Sequence, residues 1–579
     1  MPDYLAMNLV FFAFVAVSLG WLLLFLRGRQ APWPLLIALG VSPVILIYAF
    51  NPEFRVYSFH SFMHAGIVYQ ILNGSVPPPD PLFAGHTVPY PWAAHLVAAG
   101  VSRVFNITPF LAIAALNVAS LALVMVLIYK ISERLVKDRT ANTLSVVVAV
   151  YAVTFTNPSL MNVLRLQATA EFRGVPILLK FITINVLPVG LVFFLLFVYS
   201  MLRLISSGRI FPHGLMLLAA ILGVGFFYPA FLPGVGLSLV LAWITNLVLY
   251  RKQTLRWTLP ALAASVAALL VGVAAVKPYL ALLTTGTLGQ MNVLEPRMVV
   301  GNLVKYLVVA LPLIVVIVLN RGAFRRAAAQ PLAFLVVTVT ATALGYFAIH
   351  LNMDNEYKLL LLSTVTLGIL GGIAFGDLAG RCRGSRGWRV AAVFLLVAAF
   401  LFPTFRFVRM KLVQERAGRP SQEFVEKGRS LRPADSEADQ FYVWVKQHTD
   451  PRSAFVDRDP SICVLGERAT FVPPGGMGQR DRKGFGPVDL ILRLQSGYPD
   501  DLIRARRAIT DKIYEGAALG KSELRELRAL GTDVYVVVRS GAPGAGPGAA
   551  DLAGDLLTEV YASPSGRYKV YRMNLPQRP

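Results

Sequence analysis

The chain has 579 residues, of which 55% are hydrophobic and only 15% are charged, and its mean hydropathy is +0.59. This composition excludes an ordinary soluble globular protein and predicts many membrane spans. The net charge of +23 does not indicate a nucleic-acid partner, because most of it lies in short loops between apolar segments, where anionic lipid headgroups attract basic residues.

About twelve apolar segments are long enough to be membrane spans. They lie at 8–26, 34–50, 108–129, 140–157, 179–202, 213–228, 231–250, 259–279, 301–320, 331–350, 359–376 and 390–407. Basic residues are concentrated in alternate loops, as in the stretch from Lys130 to Arg139, which assigns those loops to the cytoplasm. Both termini and the longer loops then face outward. We expect a multi-pass protein of a bacterial inner membrane.

The first long outer segment, 51–107, begins with a helix signal. In "NPE", Asn51 can cap a helix, proline suits the first helical position, and Glu53 lies where the helix dipole favours an anion. The apolar residues that follow recur at steps of three and four up to Gly74, with His60 and His64 on another face. The pattern predicts an amphipathic helix on the outer membrane surface, with its polar face toward water.

Carboxylates near the outer ends of the spans are candidates for a general base. They are Glu53, Asp80, Glu171, Asp354 and Glu356. Each of the first two also has a simpler explanation. Glu53 can stabilise a helix N-terminus, and Asp80 in "PPPDP" can be a turn residue.

Two histidines of the same segment have the spacing of metal ligands. His60 and His64 are four residues apart, which places both imidazoles on one helix face. Spacing fixes no third ligand, and the favoured interpretation of the pair is polar-face histidines at an interface. His86, His95 and His350 can join them only if the fold brings them close, so a divalent metal stays open.

Several cations near the outer ends of the spans can bind a lipid phosphate. They are Arg165, Arg173, Lys180, Lys277, Arg297 and Lys358. Each one alone can instead extend its side chain to the headgroups, but the set as a whole favours an anionic ligand.

The chain changes character after the last span. Residues 1–407 form the predicted transmembrane domain with its outer loop at 51–107, and 408–436 are polar and basic, as in a linker. Residues 437–579 predict a small outer α/β domain. We expect helices near 436–448, 500–516 and 521–530, and strands at "SAFV", "ICVLGE", "ATFV", "TDVYVVVR" and "RYKVYRM".

This arrangement resembles the C-type superfamily of integral-membrane glycosyltransferases. The resemblance rests on an apolar span before a long outer loop with "ILNGSVPPPDPLFAGHTVPYPWAAH", many further spans, an outer "NEYK" segment and a terminal outer α/β domain. It implies a polytopic α-helical fold and an enzyme that takes a sugar from a polyprenyl-phosphate carrier at the outer face. The acceptor is then a lipid, a glycan or a protein.

The resemblance also implies roles for particular residues. The acid at the start of the first large outer loop is Glu53, and Asp80 is the second acid of that loop. Arg173, Arg297 and Lys358 then hold the carrier phosphate. The remaining candidates for donor or acceptor binding are His60, His64, His86, Arg165, Glu171 and Glu356.

Two other functions fit the same sequence. One is a lipid-binding scaffold of envelope assembly that uses the outer domain for protein contacts. The other is a lipid or solute transporter, which predicts ionisable residues near mid-membrane, where the sequence has few.

Overall fold

The structure is a computed structural model. It describes residues 9–20, 33–50, 59–155, 175–207, 209–249, 255–283, 292–293, 296–351, 356–382, 387–409, 412, 437–459, 461–473, 492, 498–539 and 556–575. The chain forms two compact units. One comprises Met1–Phe54, Ala114–Ala281 and Gln290–Arg419, and the other comprises Arg55–Ile113, Leu282–Gly289 and Pro420–Pro579. Most of the first outer loop therefore belongs to the same unit as the C-terminal region.

Helices make up most of the described residues. In chain order they are α1 (Leu9–Gly20), α2 (Trp33–Phe50), α3 (Phe59–Leu72), α4 (Ala93–Phe105), α5 (Pro109–Leu135), α6 (Arg139–Val147), α7 (Leu178–Ile182), α8 (Leu187–Ser207), α9 (Ile210–Phe227), α10 (Leu232–Leu249), α11 (Leu255–Ala281), α12 (Pro296–Leu319), α13 (Ala329–Ala348), α14 (Tyr357–Cys382), α15 (Gly387–Arg409), α16 (Glu437–His448), α17 (Ile462–Leu465), α18 (Asp500–Glu515) and α19 (Lys521–Ala529). A π-helical turn, Val148–Ala152, extends α6. Short 3-10 turns lie at Pro229–Phe231 and Arg321–Arg326.

Every predicted span overlaps one of these helices. Among the described residues, seven helices are long and apolar enough to cross a membrane, and four shorter helices are also apolar. The predicted polytopic α-helical fold with a C-terminal α/β region is therefore confirmed.

Close contact between α14 and α6 organises the first unit. Three glycines of α14 face small residues of α6 or of its π turn: Gly368 faces Ala149, Gly372 faces Ser145 and Gly376 faces Ala141. A Cβ atom on Gly372 would lie 2.1 Å from Ser145 Cα, so only glycine permits this separation. Ser145 Oγ also donates to Ile369 O at 3.0 Å. Small residues spaced in this way let two membrane helices approach closely.

The first unit has two short antiparallel strand pairs, β1 (Thr154–Phe155) with β2 (Val175–Pro176) and β3 (Asn292–Val293) with β4 (Ile349–His350). The second unit contains a five-stranded mixed sheet of β5 (Ala454–Val456), β6 (Ala469–Thr470), β7 (Val534–Arg539), β8 (Leu557–Ala562) and β9 (Tyr568–Met573). Its strand order is β6-β5-β7-β9-β8. β5 pairs in parallel with β6 and β7, while β9 is antiparallel to β7 and β8.

The strand predictions for this region were right in part. The runs "SAFV", "ATFV", "TDVYVVVR" and "RYKVYRM" contain strands, and β8 was not predicted. The prediction for "ICVLGE" was wrong, because it contains the short helix α17. A short apolar run that is buried on all sides has no periodicity to distinguish a strand from a helix.

The first helix of the outer loop is present as α3 and ends before Gly74 as predicted, but its predicted position on the membrane surface with a water-facing side was wrong. Residues 61–71 of α3 are all buried, including His64 at 0% and Gln70 at 2% exposure, so no polar face meets water along this stretch. α3 packs against α4 and α17 in the core of the second unit. A Cβ on Gly66 would lie 2.7 Å from Pro81 Cβ, so glycine is needed at this contact. The predicted helix start at 51–53 lies outside the described residues.

Candidate functional site

Asp80 lies in a tight hairpin of the second unit. Its N–H donates to His86 O at 2.7 Å, and Val88 N–H donates to Pro78 O at 3.0 Å. One carboxylate oxygen accepts a hydrogen bond from Leu82 N–H at 2.8 Å. This pattern is the turn role that the sequence allowed for an aspartate between prolines.

The same carboxylate is buried against the C-terminal region of its unit. Asp80 is 2% exposed, and Tyr498 Oη donates to its second oxygen at 2.9 Å. Burial raises the pKa of Asp80 to about 6, although hydrogen bonds from Leu82 and Tyr498 and the charge of Arg506 oppose the shift. Burial and the Asp80 charge in turn hold the pKa of Tyr498 well above its ordinary value, so the phenol remains the donor. A carboxyl group in this pKa range can exchange protons near neutral pH.

Arg506 of α18 joins the hairpin to the sheet. One guanidinium nitrogen donates to Ala84 O at 2.7 Å and to Phe471 O at 3.2 Å. Its Nε pairs with Glu526 at 2.9 Å, and the group lies 4.1 Å from the centre of the Phe83 ring. The planar guanidinium of Arg506 therefore binds several partners at once.

His86 lies beside this guanidinium, with Nε2 at 3.4 Å from Arg506 Nη2. Burial and the positive charge of Arg506 lower the pKa of His86. The imidazole is therefore kept neutral, which suits a hydrogen-bonding role better than the binding of a phosphate.

The fold pairs His64 with His95. Their Nδ1 and Nε2 atoms are 2.7 Å apart, the rings stack at 5.0 Å, and both side chains are fully buried. His60, the other predicted metal ligand, belongs to α3, but its side chain is not described. Among the described side chains there is no group of three His, Cys, Asp or Glu residues that could hold a metal ion.

A pair of lysines lies at one end of the α14 span in the first unit. Lys358, in the first turn of α14, is 9% exposed, and its Nζ lies 5.0 Å from the centre of the Tyr228 ring. Lys180 Nζ donates to Tyr357 Oη at 2.8 Å, and the positive charge of Lys180 repels that of Lys358. Within the described part of the chain, no carboxylate lies within ion-pair distance of Lys358. A buried ammonium group beside a partly buried one favours an anionic ligand.

Glu356 lies just before this span and is 3% exposed. One of its carboxylate oxygens accepts a hydrogen bond from Leu351 N–H at 3.4 Å. The structure thus brings Glu356 and Lys358 to the same span end, as the sequence predicted from "NEYK".

The other predicted residues cannot be placed at atomic detail. Glu53, Arg165, Glu171, Arg173 and Asp354 lie outside the described residues. Arg297 belongs to α12, but its side chain is not described.

Sequence reasoning missed Tyr498 and Arg506. A signal for Arg506 was present, because it shares a helix face with Ile503, Thr510 and Ile513, all of them buried. An arginine within the buried face of a helix predicts a charge that has found partners. Tyr498 had no comparable local signal.

Comparisons with known proteins support the fold. No protein-family profile and no curated protein sequence matches the chain. The solved structure of the arabinofuranosyltransferase AftD from Mycobacteria aligns with 94% of this chain at 12% identity and a TM-score of 0.55, and the alignment covers 40% of AftD. The structure of ArnT from Cupriavidus metallidurans bound to undecaprenyl phosphate aligns with 94% of this chain and 99% of ArnT at 11% identity and a TM-score of 0.51. The chain spans less than half of AftD and nearly all of ArnT.

Proposed function

From the fold of the C-type integral-membrane glycosyltransferases, we propose that the protein transfers a sugar from a polyprenyl-phosphate donor to a lipid, glycan or protein acceptor. Transfer takes place at the outer face of a bacterial inner membrane, on which both termini lie. The observation that carries the proposal is the buried Lys358, which has no carboxylate partner among the described residues and lies beside Lys180.

The physical argument begins with the cost of burying an ammonium group. A desolvated cation without a counter-charge is unfavourable by several kcal/mol, roughly 3–5 kcal/mol when a buried pair is broken. A phosphate supplies the missing charge and several acceptor oxygens. A polyprenyl tail can occupy the surrounding bilayer. A lipid-linked phosphate therefore pairs with the ammonium group through its head and with the lipid hydrocarbon through its tail. The ArnT structure contains such a ligand, undecaprenyl phosphate.

We assign the general base to Glu53 or Asp80. Asp80 has a pKa near 6, in the range that allows a carboxylate to take a proton from a hydroxyl at neutral pH. The carboxylate is 2% exposed and one of its oxygens accepts from Tyr498 Oη, so an acceptor hydroxyl reaches it only if Tyr498 moves aside. The further assignments to donor phosphate or acceptor are His60, Arg165, Glu171, Arg173, Arg297 and Glu356. Of the other two histidines named from the sequence, His64 is enclosed beside His95 and can bind neither group as it lies, and neutral His86 suits a hydrogen bond to the acceptor rather than to the phosphate.

The deciding experiment measures undecaprenyl phosphate binding to the purified protein in nanodiscs. Lys358→Gln is expected to weaken binding roughly tenfold to a hundredfold, the value of one charge-assisted hydrogen bond. Lys130→Gln is the matched control, because Lys130 is exposed and paired with Glu133. Equal affinity of wild type and Lys358→Gln would refute the phosphate site.

Catalysis is tested separately from binding, with a panel of polyprenyl-phosphate sugars. Glu53→Gln and Asp80→Asn are compared for sugar transfer under conditions in which both still bind the carrier. Loss of transfer in one variant identifies the base. Full transfer by both variants would contradict the assignment of the base to this loop.

A further inference from the structure

A buried histidine lies near one end of the first unit. His213 is in the first turn of α9 and is 6% exposed, and its Nε2 makes no hydrogen bond within the described part of the chain. A buried polar atom without a partner is unfavourable, so Nε2 calls for a ligand. Helical side chains lean toward the N-terminus of their helix, and this imidazole is therefore directed toward the open end of α9.

Three arginines lie near the same end of α9. Arg134 is in the last turn of α5, Arg203 is near the end of α8, and Arg209 directly precedes α9. Among the described residues, the charges that act on His213 are those of these three arginines, and all are positive. Arg209 is also the N-cap residue of α9 and gives it no side-chain hydrogen bond, so the positive end of the helix dipole adds to the same charge.

We propose that Arg134, Arg203, Arg209 and His213 bind a phosphate group, which belongs to an anionic phospholipid of the surrounding bilayer or is free phosphate. A phosphate has several acceptor oxygens. It can accept hydrogen bonds from the guanidinium groups, from Nε2 of His213 and from the first N–H groups of α9. It also supplies the negative charge that balances three arginines.

The outward side of α9 favours the lipid as the source of the phosphate. Phe211 is 77% exposed and Leu215 51%, and their spacing of four residues places both on one side of the helix. α9 has the length and hydropathy of a membrane span, so acyl chains can lie on these two side chains while the headgroup reaches the arginines. The sequence predicts that this end is cytoplasmic, where anionic headgroups attract basic residues.

This site is separate from the lysine pair at the end of α14. Lys180 lies shortly before α8 begins at Leu187, whereas Arg203 and Arg209 lie at the other end of α8. α8 has 21 residues and is therefore about 30 Å long. A phosphate held at one site does not touch the other, so the inference does not depend on the proposed function.

The test titrates the purified full-length protein in detergent and measures binding by native mass spectrometry. The probes are a short-chain phosphatidylglycerol, a phosphatidylcholine with the same chains, and inorganic phosphate. Arg203→Gln and Arg209→Gln each remove one charge from a side chain that is not buried, and His213→Phe keeps a ring but removes Nε2. Arg381→Gln is the matched control, because Arg381 is 54% exposed at the end of α14 and pairs with Asp377.

Wild type is expected to bind phosphatidylglycerol more tightly than phosphatidylcholine, because the arginines repel the choline group. Each of the three site variants should weaken phosphatidylglycerol binding about fivefold or more, whereas Arg381→Gln should leave it nearly unchanged. Weaker binding of inorganic phosphate than of phosphatidylglycerol would assign the site to the lipid, and equally tight binding with the same losses would assign it to free phosphate. Equal affinity of wild type, Arg203→Gln and Arg209→Gln for both anionic probes would overturn the inference.

Discussion

The buried Asp80 determines the direction in which the stability of the protein should change with pH. Its pKa is raised by burial from 3.8 to about 6, so the folded state binds this proton more tightly than the unfolded state. The contribution of this proton to the free energy of unfolding is about 3 kcal/mol. It is fully present below about pH 4 and is lost as the pH rises through about 6. Asp80→Asn, which is neutral at every pH, should abolish that decline.

Thermal unfolding of the purified protein between pH 4 and pH 8 measures this effect. Asp511→Asn is the matched control, because its side chain is 63% exposed. Parallel pH profiles for wild type and Asp80→Asn would show that the buried carboxyl does not govern stability in this range.

Arg506 should be the most sensitive position around the hairpin. Arg506→Gln removes the donors to Ala84 O and Phe471 O and the pair with Glu526. We expect a loss of about 2–4 kcal/mol in the free energy of unfolding, because buried acceptors are left unsatisfied. Arg525→Gln, at an exposed position in neighbouring α19, should cost less than about 0.5 kcal/mol. Denaturant unfolding compares the two variants. Equal losses in the free energy of unfolding would show that the buried contacts of Arg506 do not stabilise the hairpin.

Among the elements, the spans and the turn at Asp80 followed from local sequence, whereas α3 did not. Span length, hydropathy and proline-rich turns are local properties, so a short window contains the necessary information. The interior position of α3 depends on His95, 31 residues from His64, and the burial of Asp80 depends on Tyr498, 418 residues away. No local pattern reveals such pairs. From sequence alone, a helix with polar side chains on one face is predicted to turn that face to water, whereas in the fold other side chains cover it.

The packing of α14 on α6 gives a prediction for one element pair. Gly372→Ala should destabilise the first unit by about 1–3 kcal/mol, because its Cβ would meet the Ser145 backbone at 2.1 Å and the helices must separate. Gly380→Ala is the same change in the same helix, with nothing within 4 Å of the new Cβ. Thermal unfolding in detergent compares the two variants. A loss for Gly380→Ala as large as that for Gly372→Ala would mean that glycine itself, rather than close packing, matters in α14.

At the scale of the whole molecule, the C-terminal domain has a core that it does not complete alone. Thr470 of β6 accepts a hydrogen bond from Ala84 N–H at 2.8 Å and donates its own N–H to Pro81 O at 3.0 Å. Ala84 also packs in one apolar cluster with Ala454 and Ala469 of the sheet. The outer loop therefore covers the β6 edge, which would otherwise be an open strand edge.

We therefore expect a fragment of residues 437–579 to be markedly less stable than the same fragment joined by a flexible linker to residues 59–105. The loop supplies two backbone hydrogen bonds to Thr470 and the acceptor at Ala84 for Arg506, each worth about 0.5–1.5 kcal/mol or more when buried. Denaturant unfolding of both fragments measures the difference. In the joined fragment, Arg506→Gln should remove part of the gain, whereas Arg525→Gln should leave it unchanged. Equal stability of the two fragments would show that residues 437–579 complete their own core and that the loop only rests against it.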